Sequence, residues 1–372
     1  MIQKSAVSRS IFWDLVRGIG ILSIVMGHCC GPVVPYVYSY HLAIFFFISG
    51  YLFHEHKYGD DPFGFLAAKL KSSWPKYMIY AAIFILLHNF FIRLGINPSG
   101  TLPYSRTEAL TALGNSVTFQ CVEVMGGAMW FIPLWVLSCT LFCGISWFSR
   151  LPFFQKYLPS SAALWITSGL SILAGISGAC FIFRRVWLSY VLHLVLLLQP
   201  FLAGGWLLRK LLPSFSSYLR WYAALACFLI LILWIRLGDL HIDLSLGRIG
   251  NGWEFYLLAF LGIYCCLWAA KKLKKSRLAG GLFALLGRYS FDIMCLHFLV
   301  FKVLDLIYGR FFIGDPIEVY SAFPQAYGTS LWPFYAAAGV LLPAAGKYAI
   351  DRLIISRKSG NYGSSARDLF PG

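Results

Sequence analysis

The stretch DLVRGIGILSIVMGHCC, residues 14–30, decides the fold class, because it has the length and composition of a helix that crosses a membrane. It nevertheless carries Asp14, Arg17 and His28 inside or beside its apolar run. Ionisable groups are costly in hydrocarbon unless they have a partner or face a cavity, so such a set indicates a functional site. Arg17 and His28 are separated by eleven positions, which brings them within about 20° of each other and about 16 Å apart along a helix. The sequence therefore predicts that both side chains share one face.

The composition of the whole chain is typical of a membrane protein. Of 372 residues, 59% are hydrophobic, 18% are aromatic and 12% are charged, and the mean hydropathy is +0.70. One soluble core cannot bury so much apolar surface, so we expect a chain that crosses a lipid bilayer many times. The net charge of +16 would suit nucleic acid only on a recognisable basic binding module, whereas these cations lie between apolar segments. The sequence therefore predicts no nucleic-acid partner.

About ten apolar segments are long enough to cross a membrane, which predicts an all-α protein with about ten transmembrane helices. They lie roughly at 11–31, 37–54, 74–94, 127–148, 161–182, 186–208, 220–237, 253–270, 281–303 and 331–350. An even number of crossings places both termini on one side, and most of the lysines and arginines lie on that side. By the positive-inside rule both termini are cytoplasmic. We divide the chain into a membrane domain, residues 1–351, and a polar cytoplasmic tail, residues 352–372, which we expect to be disordered.

Arg17 and His28 indicate a chemistry as well as a position. In this orientation Arg17 lies near the cytoplasmic end of the first helix, where it would hold an anionic, elongated donor. The reactive end of that donor would meet His28, whose neutral imidazole near pH 7 suits general-base catalysis. Asp14 lies three residues before Arg17 and is expected to orient its guanidinium through an ion pair. This geometry fits acyl transfer from a CoA thioester to an acceptor that arrives from outside.

Four stretches, in this order, resemble the acyltransferase-3 family of integral membrane acyltransferases, particularly its fucose 4-O-acetylase-like branch. They are DLVRGIGILSIVMGH (14–28), YHLAIFFFISGYLF (40–53), GGAMWFIPLWV (126–136) and LGRYSFDIMCLHFLV (286–300). The resemblance implies ten core helices, an acyl-CoA donor and Arg17 and His28 as the catalytic pair. It implies no permanently bound cofactor. The ten cysteines include no CxxC and no zinc-like spacing with histidine, so no metal site is predicted.

Five further residues are candidates for substrate binding. By resemblance to the family motifs, Trp130, Ser290 and His297 would line the site, and His41 would contact the acceptor. Family members commonly carry arginines ahead of the third helix, whereas this chain has KLKSSWPKY (69–77). Lysine binds phosphate as a point charge without the bidentate fork of arginine, and we assign the CoA-phosphate role to Lys71.

These patterns predict a multi-pass O-acyltransferase of the cell membrane, most simply an O-acetyltransferase that uses acetyl-CoA. The resemblance implies that the acceptor is a hydroxyl of a capsule, exopolysaccharide, lipopolysaccharide or other glycolipid or lipid-linked sugar, with polysaccharide-assembly proteins as candidate partners. Two other classes stay open. A secondary transporter would use intramembrane Asp, Arg and His as a relay, although the sequence shows no inverted repeat. A scaffold of an assembly complex would tolerate replacement of His28.

Overall fold

A computed structural model describes residues 10–58, 60–121, 123–159, 161–314, 319–325 and 328–365. Within these ranges the chain is helical and contains no β-strand; one isolated backbone bridge pairs Asp243 with Arg248. The predicted all-α class is therefore confirmed.

The helices are numbered along the chain. They are α1 (Ile11–Gly27), α2 (Val34–Tyr38), α3 (Ala43–Tyr51), α4 (Glu55–Tyr58), α5 (Pro62–Arg93), α6 (Arg106–Val117), α7 (Phe131–Phe148), α8 (Pro152–Tyr157), α9 (Ala162–Phe183), α10 (Leu192–Leu197), α11 (Gln199–Leu211), α12 (Trp221–Leu237), α13 (Trp253–Leu273), α14 (Arg277–Arg288), α15 (Ser290–Tyr308) and α16 (Gly328–Ser365). Short 3-10 helices lie at Val124–Trp130, Ser189–Val191, Phe215–Tyr218 and Leu244–Leu246, and a π-helical turn lies at Gly309–Ile313. α16 runs into the segment for which the sequence predicts a disordered tail, and residues 366–372 lie outside the described ranges.

Several helices have the dimensions of membrane spans. Five helical segments of the described chain are long and apolar enough to cross a bilayer. They are Pro62–Arg93, Val124–Phe148, Ala162–Phe183, Leu192–Leu211 and Trp253–Leu273. α12 is a shorter apolar helix of 17 residues, and its Phe228, Leu229 and Leu233 are exposed, as expected where side chains face lipid tails. The chain is thus a membrane protein, while the count of ten spans and the side of the termini stay predictions.

The helix boundaries differ from the predicted segments in two ways. Three segments are each divided: 37–54 between α2 and α3, 186–208 at Leu198, and 281–303 at Tyr289. Conversely, α5 begins well before the predicted 74–94, because Asp61 caps its first turn by accepting the N–H of Gly64 at 2.8 Å. The lysines of KLKSSWPKY therefore lie on a helix and not in a loop.

α1 lies at the centre of the bundle and packs against α2, α3 and α13 to α16. Its closest neighbour is α14. A Cβ added to Gly18 of α1 would overlap the backbone carbonyl of Phe283, and one added to Gly287 of α14 would overlap that of Asp14. Small residues of this kind allow membrane helices to pack backbone against backbone. This contact fixes the part of α1 that carries Asp14 and Arg17.

Candidate active site

Two predicted site residues, His28 and His297, form a hydrogen-bonded pair. His28 follows the last turn of α1, and its backbone N–H donates to the carbonyls of Ile24 and Val25. His297 lies in the first half of α15 and is fully buried. The Nδ1 atom of His28 is 2.8 Å from the Nε2 atom of His297. The ring planes are within 9° of parallel and the centroids are 5.1 Å apart, which fits rings joined edge to edge through this bond.

The surrounding hydrogen bonds decide which nitrogen of neutral His28 keeps its lone pair. The Nδ1 atom of His297 lies 3.1 Å from the carbonyl oxygen of Ile293, which only accepts, so this nitrogen carries the proton of the neutral ring. The Nε2 atom of His297 is then an acceptor, and the Nδ1–H of His28 donates to it. The Nε2 atom of neutral His28 therefore keeps its lone pair, which is what a general base requires.

His28 lines a cavity of about 530 Å³, which we call the histidine cavity. The predicted residues His41 and Trp130 line it as well, together with two acidic residues, Glu123 and Asp243. Its lining residues are Cys121 and members of the ranges 24–42, 123–131, 243–246, 294–298 and 322–323. Parts of the chain that are far apart in sequence therefore meet around His28.

The ring of Phe323 packs edge-on against the imidazole of His28, with the two ring centroids 5.5 Å apart. It belongs to residues 319–325, the Phe323 segment, which a buried ion pair of α15 holds in place. Lys302 donates to the carboxylate of Asp305 at 2.8 Å and to the backbone carbonyl of Phe323. The backbone N–H of Gln325 donates to the same carboxylate at 3.1 Å. The Phe323 segment is thus anchored to the helix that carries His297.

A second cavity, the middle cavity, has a volume of about 260 Å³ and adjoins the histidine cavity. Ile24, Phe131 and Met294 line both cavities. The predicted residues Arg17 and Ser290 face the middle cavity, and most of its remaining wall is apolar. Two more of the predicted residues therefore line a cavity that adjoins the one containing His28.

A third cavity, of about 310 Å³, shares Arg17, Ser49 and Trp135 with the middle cavity. Lys69 and His54 also line it, and we call it the basic cavity. Of the described residues in its wall, none is acidic. The three cavities together form a series from Lys69 to His28 in which each adjoins the next.

The predicted ion pair between Asp14 and Arg17 is present. A guanidinium nitrogen of Arg17 is 3.1 Å from the carboxylate of Asp14. The Asp14 side chain is 5% exposed, whereas that of Arg17 is 29% exposed. Asp14 therefore orients the guanidinium from its buried side, while Arg17 faces the middle and basic cavities.

The structure brings Lys69 to the basic cavity and does not bring the predicted Lys71 there. Phe65, Lys69 and Ser73 are spaced four apart on one face of α5, and the first and last of them are buried. Lys71 lies about 200° around the helix from Lys69, and its side chain is exposed. The ammonium of Lys69 lies 4.0 Å from the ring centroid of Trp135, a cation–π contact. The four-residue spacing was the sequence signal for Lys69; the role of Lys71 stays a prediction.

Sequence reasoning missed three residues of the histidine cavity, namely Glu123, Asp243 and Phe323. All three lie outside the long helices, where no periodic pattern assigns a side chain to a face. The one available signal was the rarity of acidic residues, since Asp and Glu together number 15 in this chain. An acidic residue that directly precedes an apolar segment, as Glu123 does, is a candidate on that ground.

The pair of histidines raises the question of a metal ion. Among the described residues, no group of three or more His, Cys, Asp or Glu side chains has an arrangement that could hold one.

Comparison with protein families gives a match over most of the chain. The family model described as an acyltransferase domain matches residues 10–346, which include all residues lining the three cavities. Neither the curated proteins nor the solved structures gave a match.

Proposed function

We propose that this chain, which belongs to the acyltransferase-3 family and is a membrane acyltransferase, moves an acetyl group from cytosolic acetyl-CoA to a hydroxyl of a cell-surface polysaccharide or glycolipid. The observation that carries the proposal is the series of three adjoining cavities, basic at one end and containing the His28 base at the other. The assignment to the fucose 4-O-acetylase-like branch rests on the sequence resemblance.

The series of cavities suits an acyl-CoA in an extended conformation. Phosphate groups would bind at the basic cavity, where Arg17 and Lys69 supply positive charge. The pantetheine arm would occupy the middle cavity, whose wall is mostly apolar and includes Ser290. The thioester would then lie near His28. CoA is a substrate in this scheme, and no permanently bound cofactor is proposed.

The reaction follows from the tautomer of His28. The Nε2 atom of His28 removes the proton from the acceptor hydroxyl as that oxygen attacks the thioester carbonyl. The tetrahedral intermediate collapses, the carbon–sulfur bond breaks, and the departing sulfur takes the proton back from Nε2. His297 holds the ring of His28 in the required tautomer throughout. General-base catalysis of this kind contributes about 10²- to 10⁴-fold to the rate.

Two other residues of the histidine cavity receive roles in this scheme. The indole N–H of Trp130 would donate to the oxyanion of the intermediate. The Nδ1 atom of His41 lies 2.9 Å from the carbonyl oxygen of Val37, so its Nε2 atom is an acceptor available for an acceptor hydroxyl.

The predicted topology supports a location in the cell membrane. Parts of the chain that meet in the histidine cavity lie in connections that the positive-inside rule places outside the cell. They include Cys121, Glu123 and residues 243–246 and 322–323. His54 and Lys69, which line the basic cavity, lie on the side assigned to the cytoplasm. We infer that donor and acceptor enter from opposite sides of the bilayer, and that polysaccharide-assembly proteins could deliver the acceptor.

The test is CoA release by the purified protein in nanodiscs, with acetyl-CoA and a panel of surface-glycan fragments. We expect glycan-dependent release that falls by about 10²- to 10⁴-fold in His28→Ala. His241→Ala is the matched control, because His241 is exposed and lines none of the three cavities. Full release by folded His28→Ala would refute the proposed base. Protein that is folded but neither binds nor consumes acetyl-CoA would refute the donor, and transport assays would then be the next step.

A further inference from the structure

The histidine cavity has an acidic wall that the proposed reaction does not use. Glu123 and Asp243 both line it. Among the described residues of this wall there is neither a lysine nor an arginine. Acidic residues are uncommon in this chain, in which Lys and Arg number 31 and Asp and Glu 15. Two acidic residues in the wall of the cavity that contains the proposed base therefore indicate a function for their charge.

The carboxylate of Glu123 is held in place through one oxygen, while its other oxygen has no hydrogen-bond partner. Its Oε2 atom accepts from His88 at 2.9 Å, and His88 is stacked on Tyr104 with ring centroids 3.7 Å apart. Burial, followed by a side-chain hydrogen bond to the Glu123 carboxylate, raises the pKa of Tyr104 to about 12. Glu123 is 4% exposed, and its Oε1 atom is buried without a hydrogen-bond partner.

An unsatisfied oxygen of this kind is unusual, because nearly all buried polar atoms in proteins have a partner. Leaving one unsatisfied is costly for the folded protein. An O–H or N–H donor of a ligand in the histidine cavity would satisfy Oε1 of Glu123. A carboxylate cannot serve a negatively charged ligand group in this way, since it only accepts.

Asp243 is fixed by its own turn. Its Oδ1 atom accepts from the backbone N–H of Ser245 at 2.9 Å and from the hydroxyl of Ser245 at 2.6 Å. Its backbone is paired with Arg248 by two hydrogen bonds of 2.8 Å. The carboxylate is thus held at the wall of the cavity, where it would repel a negative group on a bound acceptor.

We propose that Glu123 and Asp243 select the acceptor by charge: the histidine cavity takes a sugar residue that is uncharged near the acetylated hydroxyl and rejects one that carries a carboxylate there. Glu123 accepts a hydrogen bond from a second hydroxyl of the sugar. Asp243 supplies the repulsion. This inference rests on the proposed function and adds the substrate class that the acceptor site recognises.

The test compares acceptors that differ only in charge. Methyl glycosides are supplied as the parent sugar, as the uronate and as the uronamide, which matches the uronate in shape without its charge. We expect the uronate to have a kcat/KM for CoA release at least about tenfold below that of the uronamide, because like charges brought together in a cavity repel strongly.

Two variants test whether Asp243 and Glu123 produce this selectivity. Asp243→Asn keeps the side-chain acceptor of its turn and should bring the uronate close to the uronamide. Glu123→Gln places a donor amide near the sugar and should raise the KM for the uncharged acceptors with less effect on the KM for acetyl-CoA. Asp239→Asn is the matched control, because Asp239 lies in the same connection but its side chain is 96% exposed. It should retain the selectivity of the wild type.

The possible results separate this proposal from the proposed function. Equal use of uronate and uronamide by the wild type, or unchanged selectivity in folded Asp243→Asn, would overturn the charge selection. If no glycoside stimulates release while acetyl-CoA is still hydrolysed in a His28-dependent manner, the sugar acceptor is wrong and this proposal with it, but the acyltransferase stands. If acetyl-CoA is not turned over at all, the proposed function itself fails.

Discussion

At the level of single residues, the hydrogen bond from His28 to His297 gives the proposed base a defined proton-accepting atom. Without His297 the imidazole of His28 would be free to exchange tautomers and to rotate. A neutral hydrogen bond contributes about 0.5–1.5 kcal/mol, so we expect His297→Phe to reduce kcat by up to about tenfold. The KM for acetyl-CoA should change little, because His297 does not line the middle or basic cavity.

Steady-state kinetics of His297→Phe beside His28→Ala provide the check. The loss in His297→Phe should be clearly smaller than that in His28→Ala. A loss as large as that of His28→Ala, in protein of unchanged thermal stability, would show that His297 transfers protons itself.

A second prediction at the level of residues concerns which lysine of α5 binds the CoA phosphates. The sequence points to Lys71 for the CoA phosphates, whereas the structure places Lys69 in the basic cavity. A hydrogen bond to a charged group contributes about 1.5–3 kcal/mol. We therefore expect Lys69→Met to raise the KM for acetyl-CoA by about tenfold or more with kcat nearly unchanged.

The comparison is Lys71→Met in the same assay, together with the affinity for CoA measured by calorimetry. A larger effect of Lys71→Met would favour the assignment made from sequence and would count against the basic cavity as the phosphate site.

At the level of helices, the contact between α1 and α14 positions the part of α1 that carries Asp14 and Arg17. Gly287→Ala would force a methyl group onto the carbonyl of Asp14. Overpacking of this kind costs about 1–3 kcal/mol, and here it also displaces the helix that carries Arg17. We expect a lower melting temperature and reduced turnover of acetyl-CoA.

Gly281→Ala on the same helix is the control, because no atom lies within 4 Å of an added Cβ. Alanine is the better helix former, so this variant should be neutral or more stable by up to about 1 kcal/mol. Equal melting temperatures of the two variants would contradict the close packing of α1 on α14.

A second prediction at the level of helices concerns the buried ion pair that anchors the Phe323 segment to α15. Lys302→Met leaves the buried Asp305 without its cation, and breaking a buried ion pair costs about 3–5 kcal/mol. The double variant Lys302→Met/Asp305→Leu should lose less stability, because no charge is left unpaired. Both variants release Phe323, so we expect more acetyl-CoA hydrolysis relative to transfer.

The measurement is the ratio of acetate to acetylated glycan, alongside thermal unfolding. Phe323→Ala removes the covering ring directly and should raise the same ratio. An unchanged ratio in all three variants would mean that Phe323 does not exclude water from His28.

The helices also show which features of the fold could be predicted from the sequence. The all-α class and the shared face of Arg17 and His28 followed from hydropathy and helical periodicity, which are local properties. The breaks at Leu198 and Tyr289 did not, because an apolar run specifies the length of a span and not where it bends. The rarity of acidic residues makes Glu123 a candidate, but one sequence does not show which distant parts of the chain meet it in the cavity.

At the level of the whole molecule, the side of the membrane on which each connection lies is a prediction from the distribution of Lys and Arg. Charge counting assigns the connection between α12 and α13 to the outside and that between α13 and α14 to the cytoplasm. We expect a membrane-impermeant maleimide to label His241→Cys but not Lys275→Cys in intact cells. Both positions are exposed, and the exposed native Cys30 and Cys180 would first be replaced by serine.

Labelling of Lys275→Cys only after permeabilisation is the internal control for this experiment. The opposite pattern would invert the topology, and the histidine cavity would then open to the cytoplasm.

The bond between His28 and His297 joins residues that are 269 positions apart. During synthesis α1 enters the membrane long before the ribosome has made α15, so the base has no fixed tautomer until most of the chain is inserted. A stalled or truncated chain would thus lack the organised base, and incomplete copies of the protein would turn over acetyl-CoA more slowly than the finished chain.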